Sequence, residues 1–209
     1  MAAQARQSQA DRSRATRAAL MATARRLFAE RGYTDVSAAE IVSAAGLTRG
    51  ALYHHYTDKA DLFRAVLVEL ETEMYGEIQA AAARVEAEGV TDAITIAAAS
   101  LDAYLSACER DDIVRIMLTD APTVLGWRGW RDIENEHGLG LLIEMLEGLM
   151  AEGLMPRQPV RVLAQLLNSA LIEAALLVAD ARRSADRADV RAEVRQAVLT
   201  LFSGLLVRN

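Results

Sequence analysis

A chain of 209 residues that is 52% hydrophobic, with three prolines and few β-branched or aromatic runs, has an all-α composition and excludes a sheet-based fold. Its one cysteine, Cys108, excludes an intrachain disulfide framework and a cysteine-built zinc knuckle, and suits a reducing cytoplasm. The net charge of −6 is unevenly spread: residues 1–64 hold ten Lys/Arg against six Asp/Glu, and residues 65–209 thirteen against twenty-three, the balance of a small basic module on an acidic body.

The opening MAAQARQSQADRSR is polar, lacks the apolar centre of a secretory signal and reads as a disordered arm over 1–13. From about residue 14 to 31, Leu20, Ala24, Leu27 and Phe28 make one stripe of an amphipathic helix, which Gly32 stops. Ser37 stands three residues before Glu40, a capping-box spacing, and Ile41, Val42 and Ala45 follow in a second helix that ends at Gly46. Thr48 can cap a third short helix over 49–55. Asp58, with Asp61 three residues on, caps a fourth that carries Leu62, Val66 and Leu70 and runs past residue 80. Five further helices are predicted at 91–109, 111–120, 127–152, 159–181 and 186–207, giving about nine in all.

Two short helices joined at Gly46 have helix-turn-helix grammar, in which the second helix enters the major groove with its N-terminal residues nearest the bases. The stretch GLTRGALYHHYTDK (46–59) concentrates the required chemistry. Arg49 offers a planar fork to guanine or phosphate, Gly50 lets the backbone approach closely, and Thr48 adds a hydroxyl. Tyr53 and His55 can donate to phosphates, and Lys59 places a charge at the next helix N-terminus. Ser37 and His54 complete the candidate DNA-binding set.

The segments ATARRLFAERGY (22–33) and AAEIVSAAGLTRGALYHHYTDKADLF (38–63) resemble the N-terminal domain of the TetR family of bacterial transcriptional regulators over residues 14–74. Tyr53, His54, His55 and Tyr56 follow that family's tyrosine–x–histidine–aromatic order, with Tyr56 where phenylalanine is usual. The resemblance implies that 75–209 form a ligand-binding and dimerisation domain whose last two helices pair across a two-fold axis.

The residues of that region support the same reading. Val190, Val194, Leu201 and Leu205 line one face of the last helix, and the helix before it is apolar nearly all round, so it should be covered on more than one side. Leu166, Leu171, Val178, Val194, Leu201 and Leu205 are the candidate dimer contacts, and Tyr104, Met117, Trp127, Trp130, Met145 and Asn168 the candidate ligand pocket. ALIEAALLVADARR, broken by Glu173, reads as too short to span a bilayer, which takes about 20 apolar residues.

A di-metal helical enzyme is the rival. ENEH (134–137) supplies one Glu-x-x-His, but such sites need a second, and no phosphate-binding glycine loop is present. No cofactor, metal or catalytic residue is expected. The sequence therefore predicts a cytoplasmic, homodimeric regulator that binds a palindromic operator in double-stranded DNA. It is most simply a repressor released by a small molecule, with a co-repressor-dependent or activating regulator as the variant reading.

Overall fold

Helix α1 (Ala2–Arg31) is long because nothing in its thirty residues breaks the pattern until Gly32, whose φ of +83° is open to glycine at little cost. In the computed structural model, which describes residues 2–207 and leaves the side chains of 2–9 and His137 aside, α1 is already helical at Ala2. Residues 2–13, expected as a disordered arm, thus continue the helix. Then follow α2 (Ala38–Ala44), α3 (Arg49–His55), α4 (Lys59–Ala87) and α5 (Ala93–Ala107). A π-helix (Ile113–Asp120), α6 (Ala121–Val124), α7 (Gly126–Ala151), α8 (Val160–Ala181) and α9 (Arg187–Ser203) complete an all-α chain with no strand among the described residues. Apart from the early start of α1, the predicted helices form within a few residues of their expected ends.

Two compact units share these helices. The first holds the stretch ending at Leu70 together with Asp111–Arg128, and the second holds Glu71–Arg110 and the residues from Gly129 onward. A single cut at 74/75 is therefore close for α4 but misplaces 111–128, which pack on α1. The return has a physical cause. Ile113, Ile116 and Met117 are buried, the Arg25 guanidinium meets Asp112 at 2.8 Å, and Asp120 Oδ2 accepts from the Tyr33 amide at 2.7 Å. The rings of Phe28, Tyr33 and Phe63 lie 5.1–5.7 Å apart, tilted or edge-on, in the centre of this unit.

In the second unit, Leu101 and Leu105 of α5 pack with Ala174 and Val178 of α8 and Val194 of α9, while Leu139, Leu146 and Leu149 of α7 join Ala164 and Phe202. Val178 and Val194, expected at a dimer interface, are instead inside this chain's own core, because α5 takes the face of α8 and α9 that carries them. Leu171 and Leu205 also pack within the chain. Leu166 and Leu201 remain on the surface at 65% and 59% exposed, joined by Val162 and Leu177. The α8 helix corrects one further expectation: at 22 residues with a mean hydropathy of 1.9 over its best window it is long and apolar enough to cross a membrane. Here one face of it serves as core, and Glu173 stands exposed on it.

Two glycine substitutions should move stability in opposite directions. Gly32→Ala places a Cβ at positive φ and 2.0 Å from the Arg115 guanidinium, and should cost about 1–2 kcal/mol in urea unfolding. Gly76→Ala, in open space within α4, should add about 0.5–1 kcal/mol.

Candidate functional site

The reading surface is assembled by caps. Ser37 is extended (φ −89°, ψ 154°), accepts from the Glu40 amide and donates its own amide to Glu40 Oε2 at 2.8 Å, closing the predicted capping box. Those Ser37 bonds and the Arg31 guanidinium, 3.0 Å away, hold the Glu40 carboxyl down at about 2. Gly46, at φ +66°, turns the chain, and the Leu47 amide reaches back to the Val42 carbonyl at 3.0 Å. Thr48 then caps α3 by accepting from the Ala51 amide at 3.3 Å.

This geometry decides what α3 shows. Leu52 turns inward and Tyr56 closes the helix end, its hydroxyl accepting from Arg17 Nε at 3.3 Å, so Tyr56 packs as expected. Thr48, Arg49, Gly50 and His54 are exposed, Tyr53 is 45% exposed and His55 half-buried. The Arg49 guanidinium lies 5.5 Å from the Tyr53 ring centroid, and the two histidine rings are 5.0 Å apart. A fork of charged donors, a phenol and two imidazoles thus share one solvent-facing helix surface. The sequence reading missed Arg12, Ser13 and Thr16 of α1, which line an open groove with Thr48, Gly50, Ala51, His54 and His55. The signal was in hand, since these residues are the polar end of the same basic segment.

Lys59 sits differently from its expected phosphate role. Its ammonium donates to the carbonyls of Tyr33 and Val36, both at 2.9 Å, and rests 3.9 Å from the Tyr33 ring centroid. Burial lowers its pKa, opposed by Glu40. The lysine ties the α1–α2 turn to the start of α4. Ser37 is likewise engaged in its cap.

The candidate pocket set divides. Met117 is core of the first unit, and Trp127, at the start of α7, is 64% exposed. Met145 on α7 is 36% exposed, at the edge of the face that buries Leu146 and Leu149. Neither Trp127 nor Met145 lines an interior site. Tyr104, Trp130 and Asn168 belong to the second unit, where the sequence reading missed their neighbours. Glu71 of α4 is fully buried, and Glu134 of α7 is nearly so. Burial first, then the charge of Glu134 and a hydrogen bond with it, push Glu71 up to about 9. Burial also raises Tyr75 and Tyr104 and pushes Cys108 up to about 12. The Tyr104 hydroxyl donates to the Leu171 carbonyl at 3.0 Å, and the buried Nδ2 of Asn168 meets no acceptor among the described residues. Glu134, the glutamate of the Glu-x-x-His motif, thus shares a hydrogen bond with a second carboxyl, and the described residues hold no group of three metal-ligating side chains.

Comparison with known proteins matches two family models: "Bacterial regulatory proteins, tetR family" over 20–66 and "Tetracyclin repressor-like, C-terminal domain" over 94–205. The chain is 44% identical over 64 residues to the HTH-type transcriptional regulator AcrR of Shigella flexneri, covering 31% of this chain and 29% of that protein. It is 33% identical over 117 residues to the HTH-type transcriptional repressor Rv1474c of Mycobacterium tuberculosis, covering 56% and 59%. The matched stretch thus spans under a third of the first curated relative's length. A crystal structure of a TetR-family transcriptional regulator from Pectobacterium atrosepticum superposes with a TM-score of 0.77 at 34% identity, covering 95% of this chain and 97% of that one.

Lys59→Met keeps the side chain's bulk but removes both carbonyl bonds, and urea unfolding should show a loss of about 2 kcal/mol. A change under about 0.5 kcal/mol would return Lys59 to a purely surface role. Glu71 makes a second prediction. The unfolded chain loses this proton near the ordinary 4.5, whereas the folded chain keeps it to about 9, so rising pH favours unfolding throughout that interval. The group should subtract up to about 1.4 kcal/mol of stability per pH unit, and Glu71→Gln should flatten the slope measured from pH 5 to 9. Equal slopes in both proteins would rule this out.

Proposed function

Since the chain belongs to the TetR family of bacterial regulatory proteins, we propose that it is a cytoplasmic, homodimeric, sequence-specific DNA-binding regulator, a repressor released by a small-molecule ligand. The observation that carries the DNA-binding part is the exposed face of α3. Arg49, Gly50, Tyr53 and His54 stand in solvent at the end of a capped helix-turn-helix, with nothing in the fold of that unit requiring them there. Arg49 is the base-reading candidate, because a guanidinium in the first turn offers guanine O6 and N7 two parallel donors. Thr48, Tyr53 and the histidines suit phosphates, and Arg12, Ser13 and Thr16 extend the same surface.

Pairing through α8 and α9 is supported by the apolar residues left outside the core, Val162, Leu166, Leu177 and Leu201. A two-fold dimer would place two α3 helices on successive turns of one DNA face, about 34–36 Å apart. Release requires that the ligand bind the DNA-incompetent state more tightly than the competent one; equal affinity would shift nothing. The α4 helix, which begins beside the reading surface and ends in the second unit, is the element through which such a preference would act.

Selection of genomic fragments with the purified protein, followed by footprinting, should recover a palindrome whose half-sites lie about one helical turn apart. On that operator Arg49→Ala should cost about 1–3 kcal/mol in specific binding. Equal loss on random DNA would make Arg49 a phosphate contact, and absence of any enriched site would remove the sequence-specific reading.

A further inference from the structure

The open groove between the first half of α1 and α3 lies wholly within the first unit. Arg12, Ser13 and Thr16 form its α1 wall, and Thr48, Gly50, His54 and His55 the wall opposite, with only the small side chains of Ala10 and Ala51 between them. Each polar side chain here can donate a hydrogen bond, and none is a carboxylate. Arg12, Ser13, Thr16, His54 and His55 make no side-chain hydrogen bond or ion pair among the described residues. The Thr48 hydroxyl accepts from the Ala51 amide and still has its own proton to donate. Residues 1–17 hold four arginines and one acid, Asp11, which pairs with Arg14 rather than with the groove.

Gly50 points the same way for a reason unrelated to charge. It lies within α3 and is not among the glycines at positive φ. A Cβ at this position would meet only the Thr48 hydroxyl oxygen, at 3.9 Å. Nothing in the fold of this unit calls for glycine there, and alanine would hold so short a helix better. A glycine in a helix with room for a methyl group suits a surface that another body approaches closely. Arg49 and Tyr53, four apart, form one stripe of α3, and Gly50 and His54 form the next stripe round the helix, on the groove.

We infer that this groove seats one sugar–phosphate strand of the DNA between α1 and α3, while the neighbouring Arg49–Tyr53 stripe lies against the bases. The inference rests on the DNA-binding reading above, and it gives a part in recognition to the stretch of α1 ahead of residue 20, where the family match begins. A phosphodiester presents acceptor oxygens and a negative charge, which these donors match and a carboxylate would repel. Arg12 supplies the charge, Ser13, Thr16 and Thr48 supply neutral hydrogen bonds, and Gly50 sets how near the strand comes. Contacts of this kind hold every sequence alike, so α1 adds affinity and α3 adds preference.

The test uses the full chain, a fluorescent duplex carrying the selected operator and a scrambled duplex of equal length, titrated from about 50 to 200 mM salt. Arg12→Ala should weaken both complexes by the same factor, roughly three- to tenfold, and should lower the slope of log affinity against log salt by about 0.9 per subunit, the share of one phosphate. Ser13→Ala combined with Thr16→Val should weaken both complexes and leave the slope unchanged. Gly50→Ala should unfold at a higher temperature yet bind both duplexes less tightly, a combination that a purely structural glycine would not give. Arg26→Ala, on α1 outside the groove and paired with Glu30, should bind as wild type does. Single methylphosphonates placed along the operator locate the seat: wild type should lose affinity at one phosphate beside the half-site bases, and Arg12→Ala should lose nothing further there. Operator binding that is indifferent to Arg12, Ser13 and Thr16 overturns the groove and leaves the regulator standing. A change in the preference for operator over scrambled DNA in Arg12→Ala also overturns it, since α1 would then touch bases. If no operator is selected but random DNA binds with a slope that depends on Arg12, the seat stands and the sequence-specific reading falls. A protein that binds no DNA overturns both.

Discussion

The reading surface hangs on one ammonium group. Lys59 holds the carbonyls of Tyr33 and Val36 and rests on the Tyr33 ring, which itself packs on Phe28 and Phe63. Those contacts join the end of α1, the approach to α2 and the first turn of α4. Since α3 is only seven residues long, it has little packing of its own and takes its direction from these neighbours. An isolated helix of that length would not persist in water. Its exposed Arg49 and Tyr53 keep their place because Leu52 and Tyr56 are anchored beneath them. The chain's one lysine thus acts from below the surface, by fixing where the donors of α3 point.

The second unit is marked instead by buried acidity. Burial raises the proton affinity of Glu71, Tyr75, Tyr104 and Cys108, with the charge of Glu134 acting in the same direction on each. Burial and then Glu134 push the Glu71 carboxyl up to about 9, so it holds its proton more tightly than an exposed carboxyl does. The α4 helix carries both Glu71 and, twelve residues earlier, Lys59, so the two features lie on one element of the chain.

Much of this was legible in the residues. The apolar stripe of α1, the capping box at Ser37 and Glu40, the turn at Gly46 and the cap at Thr48 are local patterns, written within four or five positions, and each forms as its spacing requires. The exposed members of the reading surface followed from them, because a helix with one apolar face must show the other. Lys59 did not follow. Near a helix N-terminus among other donors it resembles a phosphate ligand, and only the approach of two carbonyls more than twenty residues upstream gives it another task. The pocket residues failed for a related reason. Tryptophan and methionine are large and apolar whether they sit in a core, in a cavity or on a surface, so Trp127, Met117 and Met145 carried no signal of which.

What the sequence determined by itself is therefore the set of helices, the helix-turn-helix and its capped, donor-rich second helix, since these depend on periods of three to five residues and on cap chemistry. What the tertiary structure decided is every assignment that needs two distant segments at once. It returned 111–128 to α1 through Arg25, Asp112 and Asp120, placed Val178 and Val194 in the chain's own core and left Leu166 and Leu201 outside it. It also set Glu71 against Glu134 across sixty-three positions. The hydrophobic effect has no direction, so an apolar or acidic side chain does not state in advance which partner will cover it. That choice is made when helices pack, and only there.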